Sequence, residues 1–181
     1  MNYLEKNVTL KDGTIAVFRS PKPGEGAVYL DFLKGLCAES ENVMNYPEEI
    51  TFTPEDEENW IKSCIEDPNR VDISCFIDGK LAGNCGVRRL NKMKTRHRAV
   101  LDIGIRKAYW NKGLGTALFK ELIAIAKDWG VSQIYLEMAS QNDRARHLYE
   151  KMGFKEVAAV PQALLHKDGS YSALVTMIYQ E

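Results

Sequence analysis

The segment that constrains this chain most is a strand, a glycine-bearing loop and a long helix in immediate succession. Ala99 to Ile105 is apolar except at Asp102 and Gly104 and reads as a strand. A short connection, Arg106-Lys107-Ala108-Tyr109, leads into Trp110-Asn111-Lys112-Gly113-Leu114-Gly115-Thr116. Leu114 to Trp129 then carries Leu114, Leu118, Leu122, Ile125 and Trp129 on one helical stripe, and Gly130 stops it. The first N–H groups of a helix lack intrahelical acceptors and carry a partial positive charge. Glycine there lets an anion approach the backbone, so the loop suits a phosphate or pyrophosphate, with Lys112 at its rim. The same two glycines suit equally a tight turn with close helix–strand packing. Other phosphate loops fit worse: the chain has no G-x-x-x-x-G-K-[ST] run, and Thr116-Ala117-Leu118 lacks the third glycine of a dinucleotide fingerprint.

Around this unit the elements alternate. Val8 to Leu10 and Thr14 to Arg19 read as a hairpin turning at Asp12-Gly13. Ala27 to Ala38 is an amphipathic helix. Thr53-Pro54-Glu55-Asp56 opens another, ending near Ile65, with Thr53 as cap and Pro54 at its first position. Asp72 to Ile77 and Lys80 to Leu90 form a second hairpin at Asp78-Gly79. Gln133 to Ala139 is a strand, Asn142 to Met152 a short helix ended by Gly153, and Phe154 to Val160 pairs with Ser170 to Tyr179. Helices and strands alternate within one α/β domain over residues 1–181. The order argues for a mixed, mostly antiparallel sheet and against an all-parallel one.

Charge and cysteine content narrow the function. The 24 basic and 25 acidic residues nearly cancel, which disfavours a nucleic-acid binder. No apolar run approaches the ~20 residues of a membrane span, and the polar start Met1 to Lys6 does not read as a signal peptide. Cys37, Cys64, Cys75 and Cys85 fit no C-x-x-C spacing and read as free thiols of a cytoplasmic protein. His97 and His147 lack ligand-like companions, so no metal is expected.

Three separated pieces resemble the GNAT superfamily of acyl-CoA N-acyltransferases. Asp102-Ile103-Gly104-Ile105 resembles its fourth strand, D-L-x-V. Trp110 to Thr116 resembles its [QR]-x-x-G-x-[GA] loop. Asn142 to Phe154 is similar to its N-x-x-A-x-x-L-Y-x-x-x-G-F signature. The resemblance covers about residues 72 to 160. It implies a GNAT fold with a splayed parallel strand pair and acetyl-CoA as co-substrate. Ile103, Gly104 and Ile105 would line the pantetheine arm, which pairs with the strand edge as an added strand does. The backbone amides of Trp110, Asn111, Lys112, Gly113, Leu114, Gly115 and Thr116 would hold the pyrophosphate. Asn142 would hydrogen-bond the cofactor, Ala145 would leave room for it, and Tyr149 would sit beside the sulfur. Trp110 departs from the customary Gln or Arg, so the cradle would rest chiefly on backbone amides.

Acetyl transfer needs a neutral amine, a donor for the oxygen that gains charge, and an acid for the departing thiolate. The resemblance makes Tyr149 that acid, although its pattern alone is that of an amphipathic core residue. Asp102 is the candidate on the other side, to orient the amine or accept its proton; it reads equally as a structural acid. It shares a strand face with Gly104, whose missing side chain leaves space for a substrate. Glu137 also interrupts an apolar strand and reads as structural. The acidic residues Glu48, Glu49, Glu55, Asp56, Glu57 and Glu58 favour local structure over steering of a cationic amine, and Lys92 to Arg98 reads as a solvated loop. The expected acceptor is a small-molecule primary amine; a protein N-terminus or lysine would need an open groove, and a non-catalytic acyl-CoA sensor is the reading of another class. A homodimer is admitted; nucleic acid and membrane partners are not expected.

Overall fold

A computed structural model of the chain describes residues 2–180. Eight strands form one sheet: β1 (Lys6–Thr9), β2 (Ile15–Arg19), β3 (Arg70–Ile77), β4 (Lys80–Arg89), β5 (Arg98–Ile105), β6 (Gln133–Ala139), β7 (Lys155–Leu165) and β8 (Tyr171–Gln180). Their order is β1-β2-β3-β4-β5-β6-β8-β7. Every neighbouring pair is antiparallel except β5 and β6. Four α-helices flank it: α1 (Gly26–Glu39), α2 (Pro54–Glu66), α3 (Leu114–Asp128) and α4 (Asp143–Lys151). The mixed, mostly antiparallel sheet is therefore the one expected from the element order.

Strand periodicity sorts the side chains into two cores. Ile73, Cys75 and Ile77 of β3, with Cys85 and Val87 of β4, pack with Leu114, Leu118 and Leu122 of α3. Phe76, one residue out of phase, packs instead with Tyr29 and Phe32 of α1 and Ile61 of α2. So α3 covers one face of the sheet, and α1 and α2 cover the other. All four cysteines are buried free thiols.

The helix ends follow local chemistry. Thr53 and Asp56 form a reciprocal capping box at α2, and the Asn142 side chain accepts from Ala145 N–H at α4. Two expectations shift. The buried side of α3 runs through Leu118, Phe119, Leu122, Ile123 and Ala126, leaving Ile125 and Trp129 at its margin. The stripe rotates because Phe119 turns toward Tyr149 and Phe154. The strand expected to end at Val160 continues to Leu165. Pro161 is tolerated because the β7–β8 ladder is interrupted there: register partners stop at Val160 and resume at Leu164.

Candidate active site

The parallel pairing of β5 and β6 lasts for three register pairs, Arg98↔Gln133, Ala99↔Ile134 and Val100↔Tyr135, and then stops. Beyond it the two strands diverge and leave a wedge in the sheet. The hydrogen bonds Leu90 N–H to Arg98 C=O and Arg106 N–H to Ala82 C=O set the phase of the β4–β5 ladder. In an antiparallel ladder, alternate residues face the partner strand. Asp102 and Gly104 therefore direct their backbone groups to β4, while Leu101, Ile103 and Ile105 direct theirs into the wedge. Of the three residues expected to line a cofactor arm, Gly104 is turned away. Its open side is also occupied: a Cβ there would lie 2.6 Å from Leu36 Cδ1 of α1. The missing side chain makes room for α1 and not for a substrate.

The loop after β5 enters α3 through Gly113, at φ 86°, in the left-handed region that glycine tolerates. No side chain caps α3 and no acid occupies its first turn, in contrast to α2 and α4. The N–H groups at its start thus lack both intrahelical and side-chain acceptors, which is what an anion site requires. Gly115 serves packing as well: a Cβ there would fall 2.8 Å from Leu148 Cδ2 of α4. Trp110 is engaged by its indole, which donates to the Ile105 carbonyl at 2.8 Å. Lys112 reaches sideways to Asp12, 3.7 Å away. Leu114 is buried under the sheet, and Asn111, at φ 64°, is exposed.

On the α1–α2 face, three register partners put chemistry in a row: Asp72 on β3, Gly86 on β4 and Asp102 on β5. Asp72 is buried and grips Arg70 through two hydrogen bonds of 2.6 and 2.8 Å. Asp102 lies on the open wall of the cleft. Many protein atoms surround its carboxyl while solvent still touches it, as happens in a concave, half-wetted site. That loss of water first, and the Asp72 charge second, raise it to about 6, against the opposing pull of Arg70 and Arg88.

Tyr149 approaches from α4. It is buried against Phe119 and Phe154, with ring centroids 5.2 and 6.3 Å apart. Burial, and then the nearby Asp102 charge, push its hydroxyl up to about 12. Tyr149 and Asp102 are thus within electrostatic reach of one another. Asn142 spends its side-chain oxygen on the α4 cap, and Ala145 packs against the main core. Glu137 lies on β6 across the wedge, exposed. The acidic residues have local uses: Glu55, Asp56 and Glu57 fill the first turn of α2, Glu58 accepts from Gly24 and Gly26 N–H, and Glu48 pairs with Lys167. Among the described residues, no cluster of three or more His, Cys, Asp or Glu could hold a metal ion, and no helix is long and apolar enough to cross a membrane.

Two features lay outside the sequence reading. One is the Arg70–Asp72 pair, for which the only signal was two charges sharing one strand face. The other is Arg144, which stacks 4.3 Å over the Trp110 ring and donates to Asn111 Oδ1 at 2.7 Å.

Residues 37–154 match the model of the acetyltransferase (GNAT) family. The chain belongs to that family. It is 38% identical over 93 residues to N-alpha-acetyltransferase RimI of Mycobacterium tuberculosis, covering 51% of this chain and 57% of the relative. It is 25% identical over 113 residues to L-amino acid N-acetyltransferase AaaT of Escherichia coli, covering 62% of this chain and 69% of the relative. The match thus spans little more than half the length of the RimI relative. Among solved structures, an acetyltransferase of the GNAT family from Streptococcus pneumoniae superposes with a TM-score of 0.84 at 26% identity, covering 92% of this chain and 99% of that one.

Proposed function

We propose that this chain transfers the acetyl group of acetyl-CoA to a primary amine of a small molecule. The observation that carries the reading is the wedge between β5 and β6, with Asp102 on its acceptor wall and Tyr149 on the opposite side. Acetyl-CoA would supply the acyl group as a thioester and leave as a thiol. The N–H groups at the start of α3 and the wedge-facing backbone of Ile103 fit the two ends of its elongated shape. Ile103 N–H, which faces the wedge, would donate to the oxygen that gains charge. Asp102, ionised above about pH 6, orients the amine and takes its proton. Tyr149 keeps its proton at neutral pH and gives it to the departing sulfur.

The acceptor side favours a small molecule because it is walled. The segment between α1 and α2 reaches the β7–β8 loop: Tyr46 Oη accepts from Lys167 N–H at 3.1 Å, the Lys167 ammonium sits 4.4 Å from the Tyr46 ring, and Glu48 pairs with it. A strap of this kind would leave less room for an extended peptide than for a small amine. The likeness to RimI favours a second reading, transfer to a protein N-terminal α-amine. Buried, unbonded cysteines support a cytoplasmic location. The exposed Val157, Val160 and Leu165 on edge strand β7 support a homodimer.

Thiol release measured over a panel of small amines, amino acids and short peptides tests the reading. Turnover on small amines above that on peptides is expected. Faster peptide turnover selects the second reading, and tight acetyl-CoA binding without any turnover selects a non-catalytic sensor.

A further inference from the structure

We propose that Arg144, carried by α4, is the cation that engages the pyrophosphate of CoA at the start of α3. The inference rests on the reading of the loop given above. Phosphate sites combine backbone N–H groups with a fixed cation, and the loop's own side chains leave that second role open. Trp110 is uncharged and committed to the Ile105 carbonyl. Lys112 is drawn to Asp12, on the β1–β2 hairpin.

Arg144 is held at the loop by two contacts from different residues. Its guanidinium lies on the indole face of Trp110 at 4.3 Å, a stacking geometry that favours Arg over Lys. One terminal nitrogen donates to Asn111 Oδ1 at 2.7 Å. A guanidinium has five N–H donors, and among the described residues no carboxylate pairs with this one. Its neighbour Arg146 differs on this point, being paired with Glu156. Trp110 thereby has two functions: its nitrogen fixes the end of β5, and its face fixes the cation. A planar fork held at the mouth of an uncapped helix matches two phosphate oxygens and leaves the pantetheine and the acetyl group untouched.

The test is calorimetric titration of the full chain with CoA, 3′-dephospho-CoA and pantetheine. Arg144→Ala is expected to weaken CoA about tenfold or more, the scale of one charge-assisted hydrogen bond. The loss should persist with 3′-dephospho-CoA and vanish with pantetheine. Arg144→Lys should recover only part of the affinity, and in the Trp110→Leu background Arg144→Ala should cost less. Arg146→Gln removes the same charge from the same helix and should leave CoA affinity unchanged. Equal CoA affinity in Arg144→Ala and the parent overturns the proposal. A loss that disappears with 3′-dephospho-CoA also overturns it, by assigning the cation to the 3′-phosphate. Failure of the loop reading looks different: Gly113→Asp would then leave CoA binding unaffected.

Discussion

The carboxyl groups of Asp72 and Asp102 close on the same backbone carbon: a Cβ added to Gly86 would lie 2.8 Å from Asp72 Oδ1 and 3.2 Å from Asp102 Oδ1. The glycine lets two acids on strands either side of β4 share one patch of the sheet. Arg70 holds one of them by a two-bond grip, and the other faces the cleft. Like charges this near disfavour the second ionisation, which is the electrostatic setting expected of a group that must exchange a proton near neutrality.

The rate should therefore follow Asp102. With saturating acetyl-CoA, kcat/KM for the amine is expected to rise with pH through an acid limb near 6. Asp72→Asn removes the like charge, so the limb should move to lower pH. Profiles from pH 4.5 to 8 check this, and a limb that stays in place rules out coupling between the two acids.

The same acid should weigh on stability. Its ordinary value is 3.8 and its value in the fold about 6. Folding therefore favours the protonated form. That stabilisation is present below the unfolded value and is lost as pH rises through about 6. Asp102→Asn should melt higher than the parent at pH 8, and the gap should shrink toward pH 4, while its amine kinetics deteriorate. Thermal melts at the two pH values give the sign directly.

Tyr149→Phe keeps the ring against Phe119 and Phe154 and removes only the acid. Turnover should fall about a hundredfold, with CoA affinity and melting temperature close to the parent's. Because the hydroxyl is raised to about 12, its ionisation should impose no loss of rate below pH 10. Unchanged turnover in the variant would remove Tyr149 from the chemistry.

Gly115 tests the seat of α4. The Cβ of Gly115→Ala would fall 2.8 Å from Leu148 Cδ2, the movable end of a half-buried side chain, so the overpacking is expected to cost about 1 kcal/mol, the low end of such changes. Leu148→Val should recover part of it. Chemical denaturation of the two single variants and the double checks the coupling; strict additivity would mean that the helices do not meet there.

Much of the fold was legible because its signals are local. The Thr53–Asp56 box, the Asp-Gly turns and Gly130 each fix a boundary within a few residues. The wedge was legible only through the family resemblance, since nothing within Val100-Leu101-Asp102 states that pairing with β6 ends at Val100. Contacts between distant elements were not legible at all. Asp72 meets Asp102 only because β4 lies between their strands with a glycine at that register. Arg144 meets Trp110 because α4 packs over the entrance of α3. The space beside Gly104 was hidden for the same reason: Leu36 of α1, 68 residues earlier in the chain, fills it.

The free backbone of β5 beyond Val100 has one further consequence. An unpaired strand edge ordinarily invites another chain to add to the sheet and so promotes aggregation. Here the unpaired edge lies inside the sheet, with β6 diverging opposite it, and Trp110 already occupies the Ile105 carbonyl. An edge enclosed between two strands of one sheet is not open to the strand-by-strand addition that an outer edge invites. The divergence that frees this backbone therefore also keeps it away from neighbouring chains.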